Sequence, residues 1–407
     1  MRRTGFLRKP PDKRHRPRYG ARVERHYGMD WLRIGAFGLL IFYHIGMVFV
    51  PWGYHVKTAD PAGWVTVPML FTNPWRLTLL FVVSGFASRA LWLKSRGAAR
   101  FVADRSWRLV LPLLFGIAVI VPPQAWVELR TQWPYGFDYW TFWTRHYWYF
   151  GDFGPMILPT WNHLWFVGYL YLYTLALVLI ASLPGGAVAQ RLFDQLFAGT
   201  RVLWLPAAWL LMTQVVVFQR WSDSHDVIND GVAHLAYFPA FLFGFALAGS
   251  RPVMAWLARL WKPALAIALA GYAVTAAIDI AYTARIPWLP GRIMLAARYI
   301  QAWMMIAALI GIAEVYLNRD HRWRPMLTEA VFPFYLIHQT IIVVAMYWLL
   351  KLALPAAAEF AVLVPVTALG CWLFYRYGRE VPWLRPLIGL RYARRVVAPP
   401  KLTPEVV

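Results

Sequence analysis

Two side chains in this sequence carry types and spacing suited to chemistry, Arg33 and His44. They stand eleven positions apart. At ~100° per residue, eleven steps of an α-helix make three turns plus about 20°, so both leave one face, ~16 Å apart in rise. A guanidinium suits a phosphate or carboxylate. A neutral imidazole suits removal of a proton from a hydroxyl near neutral pH. Asp30 precedes Arg33 by three positions, a spacing that pairs such residues on one helix and would fix the Arg rotamer.

Other polar residues fall within or beside apolar runs. Ser84 and Gly85 are followed by Arg89, and beyond them come Arg105 and Arg108, ahead of Pro112. Gly85 permits close helix approach. Ser84 lacks the G-x-S-x-G surroundings of a hydrolase nucleophile. His163 opens one apolar run beside Trp161 and Trp165, and His234 opens another. His338 sits inside a third. Without H-E-x-x-H or close carboxylate–His spacing, these imidazoles predict no metal site. The ordinary reading for His234 and His338 is a hydrogen bond between helices. Asp279 and Arg298, opposite in sign and similar in depth, predict a structural ion pair. Cys371 has no partner for a disulfide and is read as packing.

The elements that must position these groups follow from composition. The chain has 407 residues, 60% hydrophobic and 15% charged, with a formal net charge of +22. That apolar content excludes disorder and makes a soluble enzyme or a nucleic-acid binder improbable. Ten segments approach the ~20 apolar residues a membrane helix needs. They are 31–51, 74–93, 109–125, 162–183, 202–219, 232–249, 263–281, 293–315, 329–350 and 360–377. With residues 1–28 placed in the cytoplasm, 30 of the 41 Lys and Arg fall on that side and 7 on the other. The asymmetry predicts both termini inside. Span 1 is too long for a cleavable signal and reads as an anchor. The expected fold is an all-α polytopic membrane protein of about ten transmembrane helices. Basic cytoplasmic tails at 1–28 and 379–407 would flank one domain, 29–378. The first tail suits anionic headgroups.

The outer loop 126–161 holds six Trp, four Tyr and four Phe. It reads first as a helix lying in the interfacial aromatic belt, with Trp140, Trp143 and Tyr147 on one face. The alternative is a stacking surface over an outer cavity suited to a sugar. A second outer loop gathers Asp223, Asp226 and Asp230.

Several stretches resemble one family. Met29-Asp30-Trp31-Leu32-Arg33 is followed, after ten intervening residues, by His44. This resembles the first span of the acyltransferase-3 family of membrane acyltransferases. Phe81-Val82-Val83-Ser84-Gly85-Phe86 resembles that family's second span, and Arg105-Ser106-Trp107-Arg108 with Pro112 its third. His163-Leu164-Trp165-Phe166 and Phe334-Tyr335-Leu336-Ile337-His338 also look like family stretches. The likeness runs from about residue 26 to 378 and is strongest to the glucan biosynthesis protein C subgroup. It implies a ten-helix O-acyltransferase of the bacterial cytoplasmic (inner) membrane, with no fused extracytoplasmic domain. Such an enzyme moves an acyl group from cytoplasmic acyl-CoA to an envelope carbohydrate hydroxyl. No bound cofactor is expected, since acyl-CoA is a substrate. His44 would act as general base and Arg33 beside it. Arg89, Arg105, Arg108 and Ser84 would bind the donor. Trp161, His163, Trp165 and His338 would serve the acceptor. The lipid bilayer is the other partner, and a homo-oligomer stays open. A transporter or flippase of an anionic or sugar-linked lipid is the rival expectation.

Overall fold

A computed structural model of the protein describes residues 26–217, 224 and 226–391. Most of both basic tails (1–25 and 392–407) and Asp223 lie outside these residues. Within a bilayer, every backbone N–H and C=O must find a partner inside its own segment or barrel. The apolar runs accordingly form helices. The first are α1 (Tyr27–Met47), α2 (Thr66–Thr72), α3 (Arg76–Lys94) and α4 (Ala98–Phe115). A π-helical turn, Gly116–Ile120, joins α4 to α5 (Pro122–Gln132). Next come a short turn α6 (Tyr139–Thr141), an antiparallel hairpin of β1 (Gly151–Phe153) and β2 (Met156–Leu158), and α7 (Trp165–Ala181). The remainder is α8 (Gly186–Leu196), α9 (Arg201–Leu210), α10 (Gly231–Leu247), α11 (Arg251–Ala281), α12 (Trp288–Tyr316), α13 (Arg324–Leu349), α14 (Ala356–Gly378) and α15 (Leu384–Leu387).

The chain is a multi-pass helical membrane protein. Among the described residues, seven helical stretches are long and apolar enough to cross a membrane. The pair α8 and Arg201–Val217, bent by 97°, makes an eighth if it counts as one span. Among the described residues, each of the ten apolar segments read from the sequence overlaps a helix. Two of them miss the length-and-hydropathy criterion. In α1, Asp30, Arg33 and His44 dilute the apolar character, and α10 has only 17 residues.

Helix α11 begins ahead of its apolar run, at Arg251, where Ser250 caps it by accepting a hydrogen bond from Val253 N at 3.2 Å. Two sequence expectations are corrected. The aromatic loop is not one interfacial helix. Trp140 is exposed while Tyr147 is fully buried, because the chain turns through α6 and a π-helical turn, Phe142–His146, into the hairpin. This unit has its own small core of Ala125, Leu129, Phe142, Tyr147 and Leu158. Asp30 bridges to Arg324 at 2.7 Å, while Arg33 donates to the Thr328 carbonyl at 3.3 Å.

Helix contacts follow small residues. A Cβ on Gly85 would lie 1.9 Å from the Phe241 carbonyl oxygen, and one on Gly244 would lie 1.9 Å from that of Val82. The backbones of α3 and α10 thus touch through reciprocal glycines, as the sequence led us to expect for Gly85. Helices α1 and α13 run side by side in the same direction. Asp30 meets Arg324, Arg33 meets Thr328 and His44 meets His338, each partner 294 or 295 positions away.

Candidate active site

Beyond His44 the ends of several helices diverge and enclose a cavity of about 1280 Å³. Its wall includes His44 and Tyr43 of α1, Arg76 at the start of α3, Trp165 of α7, Arg298 of α12, and Tyr335 and Gln339 of α13. Trp161, Asn162 and His163 line it just ahead of α7. The hairpin covers one side through Asp152, Gly154, Met156 and Ile157. The loop 126–161 therefore borders the cavity, but of its aromatic side chains only Trp161 lines it, so it is not the stacking surface of the second sequence reading.

The hydrogen bonds around His44 fix a tautomer. A carbonyl oxygen can only accept, so His338 Nδ1, 2.7 Å from the Tyr335 carbonyl, carries the proton and donates it. In neutral His338, Nε2 is then a bare acceptor. It lies 2.7 Å from His44 Nδ1, which must be the donor. His44 Nε2 is left as the unprotonated nitrogen of a side chain on the cavity wall. The two rings lie edge to edge, with centroids 5.0 Å apart and planes 7° apart, as an in-plane N–H···N bond requires. His338 itself is fully buried.

The same logic applies to His163. Its Nε2 donates to the Leu336 carbonyl at 3.2 Å, and its Nδ1 is buried without a hydrogen-bond partner. Tyr335 Oη donates in turn to the His163 carbonyl, which ties α13 to the entry of α7. These carbonyls consume ring nitrogens that a metal would need. Among the described residues, no three His, Cys, Asp or Glu are grouped to hold a metal ion.

A polar network braces the cavity. Gln339 Nε2 and Asn162 Nδ2 both donate to Gln124 Oε1 at 3.0 Å. Gln124 Nε2 donates to Thr340 Oγ1 at 2.7 Å, and Thr340 donates to the Ile120 carbonyl, also at 2.7 Å. Gln339 Nε2 also lies 2.9 Å from His55 Nε2, whose Nδ1 pairs with Glu128. In the segment after α1, Lys57 donates to the Met47 carbonyl at 2.6 Å and to that of Val50. Burial pushes its ammonium down to about 8. Desolvation and the nearby Glu128 carboxylate raise the Tyr54 phenol above its usual range.

The arginines expected to bind the donor lie elsewhere. None of Arg33, Arg89, Arg105, Arg108 or Ser84 lines the cavity. Arg33, Arg105 and Arg108 cluster near the N-terminal ends of α1 and α13, close enough to feel one another's charge. Arg105 Nη2 donates to Ser88 Oγ and Thr174 Oγ1, each at 3.2 Å, and its Nε is buried without a partner. Arg89 sits 4.9 Å from the centroid of the Phe245 ring. Ser84 contributes a backbone carbonyl to Ser88 and stands outside the cavity.

The fold thus gathers His44, His163, His338, Trp161 and Trp165 at one end and Arg33, Arg105 and Arg108 at the other. His234 makes the expected structural bonds, to Tyr173 Oη and the Val227 carbonyl, both at 3.0 Å. Arg298 does not bridge Asp279. It donates to Asn73 Oδ1 at 2.8 Å, because Asn73 closes the cavity wall between α2 and α3. Sequence reasoning passed over Arg76, Asn73, His55, Glu128, Gln124 and Gln339. Arg76 did give a signal, as a charge inside a span. The amides and the loop pair gave none.

A family model described as an acyltransferase domain matches residues 26–376. Proteins named "Glucans biosynthesis protein C" from Salmonella paratyphi B, Salmonella heidelberg and Salmonella paratyphi A are 30% identical to the chain over 120 residues. That region covers 27% of this chain and only 30% of the length of those relatives. No solved structure matches the chain.

Proposed function

The chain belongs to the acyltransferase-3 family of membrane acyltransferases, and from that premise we propose how its residues divide the work. The acyl donor is an acyl-CoA that approaches from the cytoplasmic face. Its phosphates rest on Arg33, Arg105 and Arg108, with Arg89 at the edge. Two of the ten apolar helices are short or polar, yet the 30-to-7 distribution of basic residues supports ten spans with both termini inside. The membrane is then the bacterial inner membrane, and the cavity faces outward. The acceptor is an envelope carbohydrate, seated against Trp161, Trp165 and His163, since aromatic faces suit the apolar faces of sugar rings. The name of the Salmonella relatives is consistent with a glucan.

The step itself follows from the tautomer. His44 Nε2 takes the proton of an acceptor hydroxyl as its oxygen attacks the thioester carbonyl. The tetrahedral intermediate collapses, the carbon–sulfur bond breaks, and the imidazolium returns the proton to the departing CoA sulfur. An ester and free CoA result. His338 holds His44 Nδ1–H throughout and favours the charged ring when it forms, as a positioning residue. The ~16 Å of helix rise between Arg33 and His44 is the distance the pantetheine arm has to cover.

The carrying observation is the His44–His338 bond, which leaves a bare imidazole nitrogen on a residue of the cavity wall. The test is reconstitution of the full chain in proteoliposomes with labelled acyl-CoA inside and glycan acceptors outside. Label should appear as an ester on the acceptor, and mass spectrometry should identify the acyl group. Near-normal turnover by His44→Ala would overturn the assignment.

A further inference from the structure

We propose that the outer cavity contains a recognition site for an anionic substituent, a phosphate or carboxylate carried by the acceptor, formed by Arg76 and Arg298 with Asn73 between them. This deepens the reading of the cavity as the acceptor site and rests on it.

Both guanidiniums line the cavity and both lean on one neutral residue. Arg76 Nη1 donates to the Asn73 carbonyl, and Arg298 Nη2 donates to Asn73 Oδ1, each at 2.8 Å. Asn73 Nδ2 donates to Tyr43 Oη at 2.6 Å, and Arg76 lies 3.5 Å from the centroid of the Tyr43 ring. Each Arg is thus held in place by contacts that leave most of its donors unspent. Arg76 Nε is buried without a hydrogen-bond partner.

The charges are not neutralised locally. Among the described residues, the side-chain ion pairs involve neither Arg76 nor Arg298. Asp279 lies in the field of Arg298 without bonding it, and the two guanidiniums lie in each other's field. Two like charges on a half-buried wall with neutral partners repel, and an anion between them converts repulsion into two charge-assisted forks. The N-terminus of α3 begins at Arg76 and adds its positive end to the same place. Of the two carboxylates on the lining, Asp152 is exposed on β1 and Asp226 on a loop, and Asp226 is occupied by the N–H of Ile228 at 3.0 Å.

Arg76 also lies in the field of His44. An acceptor anchored there by its anion would be held within reach of the base. Anchoring of this kind orients a hydroxyl without touching the reacting atoms.

The test uses the full chain in phosphatidylcholine nanodiscs, titrated with glucose 6-phosphate and with glucose and followed by calorimetry. Glucose 6-phosphate should bind at least about tenfold more tightly, as one charge-assisted fork provides. Arg76→Gln and Arg298→Gln should each remove most of that preference and leave glucose binding unchanged. Arg76→Lys and Arg298→Lys should keep part of it. Adding phosphatidylglycerol to the discs identifies the source of the anion. Loss of glucose 6-phosphate binding assigns the site to a lipid headgroup, and unchanged binding assigns it to a soluble glycan. Equal affinity for the two sugars in the wild-type chain overturns the proposal, and this comparison needs no variant to fold. So does a folded R76Q/R298Q double variant that still prefers glucose 6-phosphate. His44→Ala separates the two readings: it should lose acyl transfer and keep the preference for the phosphorylated sugar.

Discussion

The two ends of the helix bundle hold polar residues in opposite ways. At the cavity end the polar groups surround space. His44 and His163 each keep one nitrogen that no protein group uses, and Arg76 and Arg298 share a neutral asparagine beside a large cavity. At the end that holds Arg33, Arg105 and Arg324 most are engaged, Arg105 Nε being an exception. Arg33 is spent on a carbonyl of α13, Arg105 on two hydroxyls, and Arg324, only 3% exposed, on Asp30 and Asp320. An ionisable residue in a membrane span is expensive and invites a functional reading. The contrast shows that such residues divide into those that tie helices together and those that keep donors or acceptors in reserve. Residues of the second kind form the better candidate site.

Four measurements would break or sharpen the contrast. His44→Ala should lower acyl transfer about 10³-fold, within the range for losing a general base, and leave acyl-CoA affinity unchanged. Single-turnover transfer and donor binding in proteoliposomes separate the two effects. A parallel loss of affinity would mean that the cavity end also holds the donor.

His338→Ala should cost less, about 10²-fold in turnover, because the base survives but its tautomer is no longer fixed. His338→Gln offers an amide oxygen to His44 Nδ1–H and should recover a good part of the rate. A merely structural role predicts no such rescue, and the pH profile of turnover should broaden only in the Ala variant.

The opposite end is tested by Arg105→Gln and Arg108→Gln. Each should weaken acyl-CoA binding about tenfold, the worth of one charge-assisted hydrogen bond, with kcat little changed. Unchanged affinity, measured by equilibrium binding of labelled CoA, would make these arginines structural in full.

The smallest effect concerns Lys57, which caps the carbonyl end of the helix that carries His44. Its ammonium is lowered by burial from 10.5 to about 8. Between those values the folded protein binds fewer protons than the unfolded chain, so stability should rise with pH across that window. The penalty of the buried charge is fully felt below about pH 8. Thermal unfolding of the detergent-solubilised protein should show this slope, and Lys57→Met should flatten it.

Some of this was legible in the linear chain. Each apolar run falls largely on helix, because a backbone in lipid has few alternatives, but α8 and the first turns of α11 lie outside the runs. The eleven-residue step from Arg33 to His44 correctly placed both on one face, since both touch α13. The Gly85 contact followed from the absence of a side chain. The pairings between distant segments were not legible. Asp30 looked committed to Arg33, its neighbour in sequence, but the parallel approach of α13 brought Arg324 closer. Asp279 and Arg298 looked like a pair from depth alone, but depth says nothing about rotation around a helix axis.

The amino-acid sequence by itself determined membrane insertion, the helical class and the family likeness, and it singled out His44. These rest on local hydropathy and on spacing within single helices. Tertiary structure alone decided that His338 sets the tautomer of His44, that the aromatic loop folds into a hairpin over the cavity, and that Arg76 and Arg298 meet at Asn73. His338 stands 294 positions from His44, and Arg298 stands 225 positions from Asn73. A distance of that kind is fixed by how helices pack against one another, and hydropathy along one helix carries no record of it.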